Sequence, residues 1–81
     1  MAQLLQLSED FAYGEACITM NGRMEALVEN YKGILEYTPE KILVQTKHGC
    51  VEFAGKEMQI SYYNAEGMKI QGRIGSVCFQ P

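Results

Sequence analysis

Between Glu29 and Phe53 the chain reads ENYKGILEYTPEKILVQTKHGCVEF, and this stretch constrains the fold more than any other. It holds three short apolar runs, Ile34 to Tyr37, Ile42 to Thr46 and Cys50 to Phe53, each preceded by residues that reverse a backbone. Asn30-Tyr31-Lys32-Gly33 ends in a glycine, which accepts positive φ freely. Thr38-Pro39-Glu40-Lys41 puts Pro39 at the second position of a type I turn, where its fixed φ already fits. Lys47-His48-Gly49 makes a tight hairpin. Together these predict antiparallel strands in succession, a β-meander.

The same plan continues downstream. Ile42, Val44 and Thr46 alternate with Leu43, Gln45 and Lys47; Val51 and Phe53 oppose Cys50 and Glu52; Met58, Ile60 and Tyr62 oppose Glu57, Gln59, Ser61 and Tyr63. One face is apolar and the other polar. The expected core is Ile42, Val44, Val51, Phe53, Met58, Ile60 and Ile70. Gly55-Lys56, Asn64-Ala65-Glu66-Gly67 and Gly72-Arg73 read as breaks between strands. Val77 and Phe79 share a face while Ile74 has the opposite parity, so a bulge at Gly75 is expected to reset the alternation. Gly33-Ile34-Leu35-Glu36-Tyr37 and Gly49-Cys50-Val51-Glu52-Phe53 match in chemical type, a weak repeat that also suits a small barrel or a short β-solenoid.

Upstream, Cys17-Ile18-Thr19-Met20 ends at Asn21-Gly22, the strongest short hairpin signal a sequence offers. Met24, Ala26 and Val28 then alternate with Glu25 and Glu29. A helix from Met24 to Tyr31 competes, because Met, Glu, Ala and Leu favour one, but the flanking turns point to a strand. Leu4, Leu5, Leu7 and Phe11 suit a short helical turn or a strap over an open edge. The expected organisation is therefore all-β: an N-terminal strap or helical turn over residues 1–16, then a small antiparallel β-meander over 17–81 in a single curved sheet.

With 81 residues and 47% apolar content, the chain can bury one modest core. So small a domain has little stability to spare, and association with copies of itself or with a protein partner is expected. The net charge of −3 and seven scattered Lys and Arg residues argue against nucleic acid as a partner. No apolar run is long enough to span a bilayer and no signal peptide opens the chain, which predicts a cytoplasmic protein without direct membrane insertion. Cys17, Cys50 and Cys78 are odd in number and widely spaced, so they read as free thiols in a reducing compartment.

Chemistry is hard to find. His48 stands two residues from Cys50 but lies in a turn, with no following Asn or Asp to orient its imidazole. Zinc would need His48, Cys50 and the two distant cysteines to converge. The carboxylates Glu25, Glu29, Glu36, Glu40, Glu52 and Glu57 suit a solvated sheet face, and no glycine-rich nucleotide cradle occurs. No catalytic, cofactor-binding or metal-ligating residue is therefore assigned. Tyrosine offers another role, since it contributes large contact area at low entropic cost. Tyr31 and Tyr63 are candidate interface anchors, and Ser76 and Val77 are candidate contacts on a terminal strand.

The segments Ile18-Thr19-Met20-Asn21-Gly22, Val28 to Thr38, Gly55-Lys56, Ile70 to Ile74 and Val77-Cys78-Phe79 resemble the YabP/YqfC family of sporulation proteins, nearer its YqfC side. The likeness extends over residues 4–79, and ENYKGILEYT is its most specific part. Ahead of Ile18 the chain departs from the pattern, with Ala16-Cys17 in place of a Pro-Arg pair. The resemblance implies a noncatalytic protein of endospore formation, acting in the mother cell, with a YqfD-like membrane protein as partner and no cofactor. Two functions follow as expectations: a structural or adaptor protein that associates through sheet edges or tyrosines, and a module that binds a small glycan or peptide on an aromatic sheet face.

Overall fold

The computed structural model describes residues 15–81. Six strands form one open antiparallel sheet: β1 Cys17–Asn21, β2 Glu25–Glu29, β3 Gly33–Tyr37, β4 Lys41–Thr46, β5 Gly49–Tyr63 and β6 Gly67–Gln80. Their spatial order is β1-β2-β6-β5-β4-β3. The all-β expectation holds, and residues 24–31 contain a strand rather than a helix. The strap expected over residues 1–16 lies outside the described residues except for Glu15 and Ala16.

Turn chemistry acts as the sequence implies at three reversals. Gly22 takes φ 60° beyond β1. Thr38 and Lys41 exchange backbone hydrogen bonds, and the Thr38 hydroxyl also accepts from the Glu40 and Lys41 N–H groups. The Asn64 Oδ1 accepts from the Glu66 and Gly67 N–H groups at 2.8 and 3.0 Å, an Asx turn that closes the β5–β6 hairpin.

Two expected breaks are not reversals. Gly55-Lys56 lies inside β5 and Gly72-Arg73 inside β6, and Lys56 pairs directly with Arg73 across the ladder. The register shifts there instead: Ala54 pairs with Ser76 and Gly55 with Ile74, so Gly75 is the extra residue of a bulge. Ile74 is thereby turned into the core, as the parity argument requires. On the opposite strand Glu57 and Met58 face only Gly72, with Glu57 at φ 55° and Gly72 at φ 140°. A Cβ at Gly55 would run into the Arg73 carbonyl oxygen, so only glycine lets the two strands approach at this bend.

The bend explains the core. Ala26, Val28, Ile42, Val44, Val51, Phe53, Met58, Met68, Ile70 and Ile74 are at most 4% exposed and form one cluster. A flat single layer leaves both faces to water, so burial this deep requires the sheet to coil until the inner faces of its halves meet. β1 and β2 dock on the first part of β6, and β4 and β3 on the first part of β5. Residues 30–32 link the halves: Lys32 N–H donates to the Gln45 carbonyl and the Tyr31 hydroxyl to the Asn64 carbonyl, each at 2.7 Å. Of the expected core residues only Ile60 is half-buried, and it still packs against the cluster.

The weak repeat has a spatial meaning. β3 and β5 flank β4, with Tyr37 and Phe53 both opposite Ile42, and Ile34 and Val51 both opposite Val44. Leu35 is the extra residue of a bulge, so it is not the counterpart of Val51.

Candidate interaction surface

Tyr31 and Tyr63 are 32 positions apart, yet the fold brings them to one groove. β5 ends at Tyr63, the Asn64–Gly67 turn follows, and Tyr31 reaches the turn from the link between the sheet halves. The groove has a volume of about 630 Å³ and is lined by Tyr31, Lys32, Gly33, Ile34, Tyr63 and Asn64, among others. The Tyr31 ring packs against the core while its hydroxyl holds the turn, and burial, with Tyr63 nearby, pushes its pKa up. Tyr63 is 64% exposed. One tyrosine thus forms a fixed wall, and the other presents its ring to solvent.

Ser76 and Val77 have different surroundings. Ser76 is exposed opposite Ala54, whereas Val77 is half-buried opposite Phe53 and packs against the core. The strand that carries them was expected to be terminal in the sheet, and it is not: the end strands are β1 and β3, because the β1–β2 hairpin folds back onto β6. β1, which carries Ile18, is one of these end strands. Among the described residues, β6 beyond Ile74 pairs with β5 alone, so its second half still has one unpaired side. On the equivalent side of β5, the Tyr37 hydroxyl accepts from the Ile60 N–H at 2.9 Å, and a side chain replaces a missing strand.

The outer face of the first half carries a row of directly opposed residues, Thr19, Leu27 and Lys69, with Lys69 opposite Tyr62. The Lys69 ammonium lies 5.8 Å from the Tyr62 ring centre and 3.0 Å from Glu25 Oε2. The hydrogen bond from Lys69, and then one from Asn21, holds the Glu25 carboxyl below the usual carboxylate range. The same contact raises the Lys69 pKa. This arrangement ties β2 to β6 and contains no nucleophile or paired carboxylates.

His48 Nε2 lies 2.6 Å from Glu15 Oε2, both exposed. A sequence separation of 33 residues hid that partner. Cys17, Cys50 and Cys78 are free, with Cys78 exposed and the other two half-buried. Among the described residues no three His, Cys, Asp or Glu side chains gather as a metal site would require, and no helix is long and apolar enough to cross a membrane. Three of the seven basic residues, Arg23, Lys56 and Arg73, do meet at the bend, a convergence that their spacing in the sequence conceals.

Comparison with known proteins adds two findings. The chain is 26% identical over 77 residues, covering 95% of it and 83% of the relative, to a Bacillus subtilis (strain 168) protein described as "Uncharacterized protein YqfC". No solved structure matches it. The YabP family matches residues 13–81, which include all six strands and both tyrosines, and the chain therefore belongs to the YabP family.

Proposed function

We propose that this chain is a noncatalytic structural or adaptor protein of endospore formation that works by association. YabP family membership suggests a sporulation-related role. The observation that carries the molecular reading is the tyrosine groove: Tyr63 is 64% exposed beside a wall fixed by the Tyr31–Asn64 hydrogen bond. An aromatic side chain held at the mouth of a preformed groove gives contact area with little further ordering cost. Among the described residues the outer sides of β1 and β3 pair with no further strand, and they add backbone groups that can accept a partner strand. The partner is a second copy or another protein, with a YqfD-like membrane protein of the mother cell the one that family resemblance suggests. The protein itself acts from the cytoplasmic side.

Tyr63→Ala and Ser76→Pro test this reading, with mass measured by light scattering over a range of concentrations and fold checked by circular dichroism. Association that weakens in Tyr63→Ala supports the tyrosine route, and loss in Ser76→Pro alone supports the β6 edge. A protein that stays monomeric at all concentrations and captures no YqfD-like partner contradicts it. A second reading, binding of a small glycan or peptide, is favoured by the groove's volume of about 630 Å³ and its two aromatic side chains. Saturable quenching of tyrosine fluorescence by a soluble oligosaccharide, absent in Tyr63→Ala, would favour this second reading.

A further inference from the structure

Midway along the β5–β6 hairpin, away from the tyrosines at its turn, the bend opens a cleft of about 450 Å³ between the β1–β2 turn and the two bulged strands. That volume lies in the roughly 300–1,000 Å³ range of ligand pockets. The cleft exists because of local backbone chemistry. Gly72 N–H donates to the Met24 carbonyl and Ile74 N–H to the Arg23 carbonyl, which seats the turn against β6. Gly55 and Gly75 contribute no side chains to fill the space. Ile74 forms an apolar floor that is 4% exposed, and Met24, 57% exposed, forms an apolar wall.

Arg23, Lys56 and Arg73 line the same cleft, in a chain whose net charge is −3. Lys56 and Arg73 are directly opposed across the ladder, a like-charge pair that costs stability where it stands. Arg73 has one weak partner, Glu57 at 3.8 Å with both side chains largely exposed, and neither Arg23 nor Lys56 makes an ion pair among the described residues. Elsewhere Lys41 is paired with Glu36 and Lys69 with Glu25. Among the described residues the cations at the bend are thus grouped and largely uncompensated, above an apolar floor.

We infer that this cleft docks an acidic segment of a protein partner, with an apolar side chain on Ile74 and Met24 and carboxylates against Arg23, Lys56 and Arg73. Charge complementarity selects the acidic partner. The recessed floor selects a polypeptide, because a single side chain can reach Ile74 whereas a flat bilayer surface cannot. This site is separate from the tyrosine groove, and its occupancy does not depend on self-association.

The test is a titration followed by amide chemical shifts, using the full chain and three probes: the peptide acetyl-Glu-Leu-Glu-Leu-Glu-amide, its Gln-for-Glu counterpart, and mixed phosphatidylcholine–phosphatidylglycerol vesicles. The acidic peptide is expected to shift Arg23, Met24, Lys56, Arg73 and Ile74, to weaken as salt rises, and to lose about tenfold or more in affinity with Lys56→Glu/Arg73→Glu. Arg23→Gln, in the exposed turn, serves as a second variant if the double change unfolds the chain, and should weaken binding in the same direction. Equal binding of the neutral peptide, no shift with the acidic one, or shifts confined to other residues would overturn the assignment. So would vesicle binding that is lost in these variants while the acidic peptide fails, which would assign the cleft to an anionic membrane surface.

Discussion

The two hairpins that flank the long β5–β6 pair occupy equivalent places and are built differently. β1–β2 docks on β6 in unbroken register, with Ala26 opposite Ile70 and Val28 opposite Met68. β3–β4 also docks on β5 in unbroken register, but within the hairpin a bulge leaves Leu35 53% exposed, and Phe53 of β5 stands opposite its Ile42. One half is regular and lined by smaller side chains; the other is irregular and centred on the largest buried one. Regular alternation sets which residues face inward, whereas the shape of the sheet is decided where alternation fails.

The largest test of that contrast is deletion of the aromatic. Phe53→Ala should cost about 3–5 kcal/mol, and Val28→Ala in the regular half nearer 2 kcal/mol, from lost transfer energy plus the cavity left behind. Denaturant titration would measure both, and equal losses would erase the distinction between the halves. The bend comes next. Gly55→Ala should cost about 2–4 kcal/mol, because the added Cβ meets the Arg73 carbonyl backbone rather than a side chain that can move. Gly33→Ala, whose Cβ would have only the Gln45 side chain nearby at 4.0 Å, should be far milder.

Smaller effects sharpen how the halves are joined. Tyr31→Phe removes the hydroxyl that bonds the Asn64 carbonyl and should cost about 0.5–1.5 kcal/mol, with faster amide exchange in the Asn64–Gly67 turn. Least of all should be the Glu25–Lys69 contact, a half-buried ion pair on the outer face of the sheet that solvent still screens. Its carboxyl is held below the usual range, so its contribution is present above the ordinary carboxylate pKa and is lost as pH falls through the folded value. The lysine is shifted upward, so the contribution is also lost as pH rises through its folded value. Glu25→Gln should therefore flatten the acid limb of a plot of unfolding midpoint against pH, and added salt should shrink the difference.

These contrasts match what could be read from the chain. Alternation in 42–46, 50–53 and 58–60 identified half of the buried core, Ile42, Val44, Val51, Phe53 and Met58, and the odd parity of Ile74 located the Gly75 bulge. Gly55 and Gly72 were legible as breaks but not as bulges, because a glycine permits either a reversal or a close strand crossing, and the strand that it approaches lies far away in sequence. For the same reason β2 could be recognised as a strand without revealing that it leaves its neighbour β3 and pairs with β6. Tyr31 and Tyr63 were each legible as aromatics with a role at a surface. That they share one groove, and that Arg23, Lys56 and Arg73 share another, follows only from the folded path.

The continuous, bent β5–β6 hairpin with β2 on its outer side is what creates both grooves, and backbone nuclear Overhauser contacts test it most directly. The fold predicts cross-strand contacts between Ala26 and Ile70, between Gln59 and Gln71, and between Ala54 and Ser76 in the same molecule. Contacts between β2 and β3 in their place, with chain reversals at Gly55-Lys56 and Gly72-Arg73, would restore a sequential meander and contradict the account.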